Sequence, residues 1–188
     1  MIAFLGWGSL VWDAGALPIH RQWHTDGPYV RAEFLRQSNN GRLTLVLAQA
    51  AGPVRSLWAT FDGSDLAQAR EALRSREGIP TKTFHKSIGS WSRGDPNPEC
   101  ILDIEPWAVS RGIESVVWTA LPPKFNDQDG VVPSVDQAVA YLSNLTGQTR
   151  DLAEQYIRQA PQQVDTTYRR KFEAALGWSC AQHPRVGA

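Results

Sequence analysis

The chain has 188 residues, 42% of them hydrophobic and 20% charged, with 19 Lys and Arg balanced by 19 Asp and Glu. That size and mixture predict one folded domain with a real core and exclude a disordered chain. With no net charge and no basic stripe, nucleic acid is not an expected partner, and no apolar run reaches membrane-spanning length.

In chain order, the run Ile2-Ala3-Phe4-Leu5 predicts a strand and is too short for a signal-peptide core. Two cysteines, Cys100 and Cys180, form neither a disulfide framework nor a metal knuckle. The expectation is therefore a soluble cytoplasmic protein. The strand runs into Gly6-Trp7-Gly8-Ser9-Leu10, where two glycines around one aromatic permit a tight bend with several N–H groups aligned. Such a loop can hold a carboxylate or a polarised carbonyl oxygen, although it can also be a simple turn that packs Trp7 and Trp12 into the core. A dinucleotide fingerprint needs glycine where Val11 stands, and no Gly-Lys-Ser/Thr follows for a phosphate loop.

Residues 30–37, 43–49 and 55–61 are strand-like, with Asn40-Gly41 suited to a hairpin between the first two. The period then changes: Leu66, Ala69 and Leu73 share a helical face, Ser64 is the expected N-cap, and Gly78 follows the last turn. Residues 87–98, rich in Ser, Gly, Pro and Asn, predict a loop or lid. Residues 99–104 and 114–121 return to strand character. Ser134 and Gln137 make a capping-box pattern before a helical stripe through Val135, Ala138, Val139, Leu142 and Leu145. A helix over 149–160 stops at Pro161, and a last short one ends near Gly177. Strands dominate the first two thirds and helices the rest, which predicts an α+β domain rather than a doubly wound one.

Glu77 closes the first long helix in Arg76-Glu77-Gly78. A carboxylate there faces the negative pole of the helix dipole, which disfavours its charged form and suits a proton acceptor near neutral pH. Arg74 and Arg76 oppose that effect if they turn toward it, and a solvated last-turn Glu is the plain alternative. Ser9 as a nucleophile with His20 or His24 as base would give a hydrolase, but no Gly-x-Ser-x-Gly elbow is present. His20 and His24 are four apart, yet no third metal ligand accompanies them. His85 lies a few residues after Glu77 and reads as a surface or structural histidine. Cys100 reads as a small buried apolar residue and Tyr141 as core packing.

Together, Phe4-Leu5-Gly6-Trp7-Gly8-Ser9-Leu10-Val11-Trp12, then Leu57-Trp58-Ala59 and the helix ending Arg76-Glu77-Gly78, resemble the γ-glutamylcyclotransferase superfamily, with the ChaC branch as the nearest analogue. A looser likeness continues through Val116-Val117-Trp118-Thr119-Ala120, Pro133-Ser134 and the helix containing Tyr141. The resemblance implies a single domain over residues 1–188 with a mixed, barrel-like sheet and flanking helices. It also implies intramolecular cyclisation of a γ-glutamyl amide to 5-oxoproline, releasing an amine or amino acid. Glu77 becomes the acid/base; Gly6, Trp7, Gly8, Ser9 and Leu10 the head-group loop; and Trp118 a pocket wall. The partner is then a small γ-glutamyl compound, and the chemistry needs neither metal nor cofactor. Trp7 and Trp118 stand where relatives place Tyr, which removes hydrogen-bonding handles and leaves open glutathione, a bulkier γ-glutamyl compound or a γ-glutamyl amine. An amide hydrolase or acyltransferase using the same pocket, and an inactive γ-glutamyl-binding protein, are the alternatives.

Overall fold

The computed structural model describes residues 1–20 and 22–180. It is an α+β domain whose strands curl as a half-barrel with helices on its flanks. Strand β1 (Ile2–Gly6) is buried along its whole length. It pairs antiparallel with β5 (Leu57–Thr60) and parallel with β8 (Ser115–Thr119), and β6 (Ile88–Ser92) completes a four-stranded mixed sheet. Side-chain alternation on β1 then separates two apolar clusters. Ile2 and Phe4 join Ala69 and Leu73 of helix α1 (Leu66–Arg76), together with Ile88 and Val117. Ala3 and Leu5 face the larger cluster, which includes Trp7, Phe34, Leu45, Trp91, Trp118 and Tyr156.

The second sheet is built on β2 (Tyr29–Gln37), which pairs with β3 (Leu43–Leu47), with the short strands β4 (Pro53–Arg55) and β7 (Ile101–Leu102), and through one residue with β9 (Lys124–Phe125). Strand β10 (Gln128–Asp129) forms a small hairpin on β9. Between these elements lie α2 (Phe84–Ser87) and α3 (Ile104–Val109). Helices α4 (Val135–Ser143), α5 (Gly147–Gln159) and α6 (Thr167–Leu176) pack on the larger cluster through Ala138, Leu142, Ala153, Tyr156, Ile157 and Phe172.

Several expectations hold at this level. The β2–β3 hairpin turns at Asn39-Asn40, with Gly41 at φ +77°. The Ser134–Gln137 capping box is fully formed, and α6 ends at Gly177 with φ 71°. Others need correction. Residues 87–98 are not a lid: β6 occupies their first part inside the sheet, with Trp91 fully buried. The glycine there permits packing rather than looseness, because a Cβ at Gly89 would lie 2.3 Å from the ring of its cross-strand partner Trp118. The N-cap of α1 is Asp65, whose side chain accepts from the Ala67 amide at 2.8 Å, and not Ser64. The strand expected over 55–61 is two strands broken at Ser56. The strand expected over 99–104 shrinks to β7, because Asp103 adopts a left-handed conformation and opens α3.

Two buried charges anchor the helical layer. Arg169, 2% exposed, donates to the carbonyls of Pro161, Val164, Ile157 and Ala160, satisfying groups that the end of α5 leaves bare. Glu33 of β2, also buried, accepts from the Tyr168 amide at the start of α6 and from the Phe34 amide. Burial pushes the Glu33 carboxyl above its ordinary range despite those bonds. The unfolded chain then releases this proton at a lower pH than the folded chain does. Stability therefore falls with rising pH between the ordinary carboxylate value and the raised one. Urea unfolding across that window is expected to show wild type losing stability relative to Glu33→Gln as pH rises, whatever constant offset the substitution introduces.

Candidate functional site

A cavity of about 750 Å³ opens where β1 ends, between the Gly6–Leu10 loop, the end of α1 and the β2–β3 hairpin. Its volume lies within the range of small-molecule sites. The loop is compact: Val11 N–H donates to the Gly8 carbonyl at 3.0 Å and Asp13 N–H to the Ser9 carbonyl at 2.8 Å. Neither Gly6 nor Gly8 has a positive φ. Both are needed for close approach instead. A Cβ on Gly6 would lie 2.9 Å from Trp23 and Val11, and one on Gly8 would lie 2.6 Å from the hydroxyl of Tyr156. Among the described residues, the amides of Trp7, Gly8 and Leu10, three residues that line the cavity, meet no protein acceptor. Trp7 itself is 5% exposed, with most of its ring in the larger core.

Glu77 reaches the cavity because α1 ends in a glycine-dependent cap. Gly78 takes φ +63°, its amide donates to the Ser75 carbonyl, and the Ile79 amide donates to the Arg74 carbonyl. That double bond pattern terminates the helix and buries Ile79 behind it. Of the two nearby arginines, Arg74 turns away to Glu71 and the Ile79 carbonyl. Arg76 pairs with Glu77 at 2.6 Å and also donates to the backbone carbonyl of Asp13. The dipole is thus not the only field on this carboxylate: a cation touches it. Both side chains are mostly buried, at 12% and 17% exposure.

Tyr156 is the site residue that sequence reasoning missed. Its hydroxyl accepts from the Leu45 amide at 3.3 Å and is also faced by the Ser9 amide. Among the described residues, no protein acceptor takes the phenol's own proton. Burial, aided by the negative charge of Glu77, pushes its pKa up to about 12, so it remains a hydrogen-bond donor at physiological pH. The available signal was its place on the buried face of α5 with Ala153 and Ile157, since a buried phenol needs polar company.

The structure brings Gly6, Trp7, Gly8, Ser9, Leu10 and Glu77 to one cavity. Trp118 is not among its lining residues; it packs over Gly89, and the next residue, Thr119, faces the cavity instead. His20 and His24 lie away from Ser9: His24 stacks on Trp58 at 4.4 Å, and the His20 amide donates to the Thr60 carbonyl. Neither histidine lines the cavity that Ser9 borders. His85 is exposed and packs beside Phe84. Tyr141 packs on Phe125, but its hydroxyl also works: it donates to the Gly41 carbonyl at 2.7 Å and accepts from Gln37. No helix among the described residues is long and apolar enough to cross a membrane.

Compared with protein-family models and with curated proteins, the chain gives no match. The functional reading therefore rests on the motifs and on this geometry.

The tight Gly8–Tyr156 contact makes a direct prediction. Gly8→Ala is expected to destabilise the fold by about 1–3 kcal/mol through overpacking. Adding Tyr156→Phe, which removes the crowding oxygen, is expected to restore part of that loss in urea unfolding. Strict additivity of the two changes would contradict the contact.

Proposed function

We propose that the chain is a γ-glutamylcyclotransferase-type enzyme that cyclises a γ-glutamyl amide to 5-oxoproline. The observation that carries this reading is the meeting of Glu77, Tyr156 and the Gly6–Leu10 loop, with its unpaired amides, around one cavity. The resemblance of the Gly6–Leu10 and Arg76-Glu77-Gly78 segments to that superfamily supports the same assignment.

The chemistry asks little of the protein beyond placement. The substrate's α-amine attacks its own γ-carbonyl carbon, a new C–N bond forms, and the original amide C–N bond breaks to release an amine. Glu77 accepts one proton from the ammonium before attack and returns it to the departing nitrogen, so the carboxylate ends as it began. The second proton, shed by the ring nitrogen as the lactam forms, ends on the released amine as its ammonium. Because the nucleophile is tethered, bending the γ-glutamyl chain supplies the proximity. Amides of the Gly6–Leu10 loop hold the head group. The Tyr156 hydroxyl, protonated and without another acceptor, donates to the carbonyl oxygen as negative charge develops there. In this reading Tyr156 provides the phenol that Trp7 does not.

The test is product analysis with glutathione, γ-glutamyl amino acids and γ-glutamyl amines. Wild type is expected to yield 5-oxoproline, and Glu77→Gln to lose about 10²- to 10⁴-fold in kcat while still folding. Free glutamate as the product would instead establish hydrolysis, and normal kcat in Glu77→Gln would remove that residue from the mechanism.

A further inference from the structure

Charges around the cavity bear on the part of the substrate that leaves. Its two carboxylates are already neutralised: Glu77 by Arg76 at 2.6 Å, and Asp129 by Arg36 at 3.2 Å. Arg42 and Lys86 also line the cavity, and neither has a carboxylate partner among the described residues. Lys86 is exposed, so its ammonium remains hydrated. Arg42 is different. It is half-buried, its Nε donates to the Asn40 side chain at 2.9 Å, and its guanidinium lies over the Tyr156 ring, 5.4 Å from the centroid. The Nε bond and the aromatic contact restrain the guanidinium, while both terminal amino groups meet no protein acceptor among the described residues. A planar guanidinium held in this way is organised for a carboxylate in two-point contact.

Resting on the cyclotransfer reading, we propose that Arg42 binds a carboxylate on the leaving portion of the substrate. The preferred γ-glutamyl compound is then one linked to an amino acid or peptide, and not to a simple amine. The head group's own carboxylate has the free amides of Trp7, Gly8 and Leu10 to receive it, which leaves the Arg42 fork for a second anion. An ammonium-bearing leaving group would meet Arg42 and Lys86 with like charge.

The experiment is calorimetric binding of γ-glutamylglycine and γ-glutamylethylamide, which differ by the distal carboxylate, to the full chain carrying Glu77→Gln so that turnover does not consume them. The glycine compound is expected to bind roughly ten- to a hundredfold more tightly, as a charge-assisted pair implies. Adding Arg42→Gln is expected to bring the two affinities within about threefold of each other. Arg42→Lys, which keeps the charge but not the fork, is expected to fall between, and it serves as the folded comparison should the glutamine variant misfold. Equal affinities before Arg42 is changed, or equal loss for both probes afterwards, would overturn the assignment and leave the cyclotransfer reading standing. Binding of neither probe would overturn both.

Discussion

The arrangement depends on one buried phenol. Tyr156 places its hydroxyl where only a glycine backbone fits, against Gly8, and takes a hydrogen bond from the Leu45 amide on another sheet. Three distant segments meet at that oxygen: the loop after β1, the middle of β3 and the helix α5. Its ring is held by edge contacts with Trp12 and Phe34, so the phenol has little freedom to move. Since Tyr156 also lines the cavity, the contact that closes the core also sets one wall of the site. Stability and site geometry are joined here, which is why Gly8 cannot be treated as a flexible turn residue.

A second tie fixes the opposite wall. Arg76 bridges the carboxylate of Glu77 and the backbone of Asp13, so the end of α1 and the segment after the glycine loop are set relative to each other by a single guanidinium. Across the cavity, Tyr141 pins the β2–β3 turn at Gly41. Gln37 passes the connection on: it donates to Tyr141 and accepts from the Asn126 amide in the β9–β10 hairpin. Two exposed hairpins that carry Arg42 and Asp129 are thereby held by interior or half-buried groups. Preorganisation of this kind suits the proposed cyclisation, in which most of the protein's work would be placement.

What was legible in the sequence is what short-range rules determine. The β1 run, the Asn-Gly hairpin, the glycine stop after Glu77 and the Ser134–Gln137 box each lie within a few residues of the partner that explains them. The failures share a different cause. Residues 87–98 look like a loop by composition, yet Gly89 is small because Trp118 folds over it from the neighbouring strand, a fact that no local window contains. The same contact removes Trp118 from the cavity wall. Tyr156 and Arg42 were invisible as site residues for a related reason: one looks like a buried helix position and the other like a surface hairpin charge until the fold brings them together.

The two glycines are instructive about the site itself. A loop selected for left-handed geometry would tolerate asparagine or aspartate at some cost. Gly6 and Gly8 instead sit at ordinary φ and are crowded by side chains, by Trp23 and Val11 on one side and Tyr156 on the other. A Cβ on Gly8 pushes against Tyr156, which lines the cavity, and one on Gly6 pushes against Trp23 and Val11 beside the loop, so these positions constrain shape rather than flexibility. The loop's free amides then gain their orientation from packing behind them. A ligand that accepts those hydrogen bonds meets donors already fixed in place, with little ordering entropy left to lose.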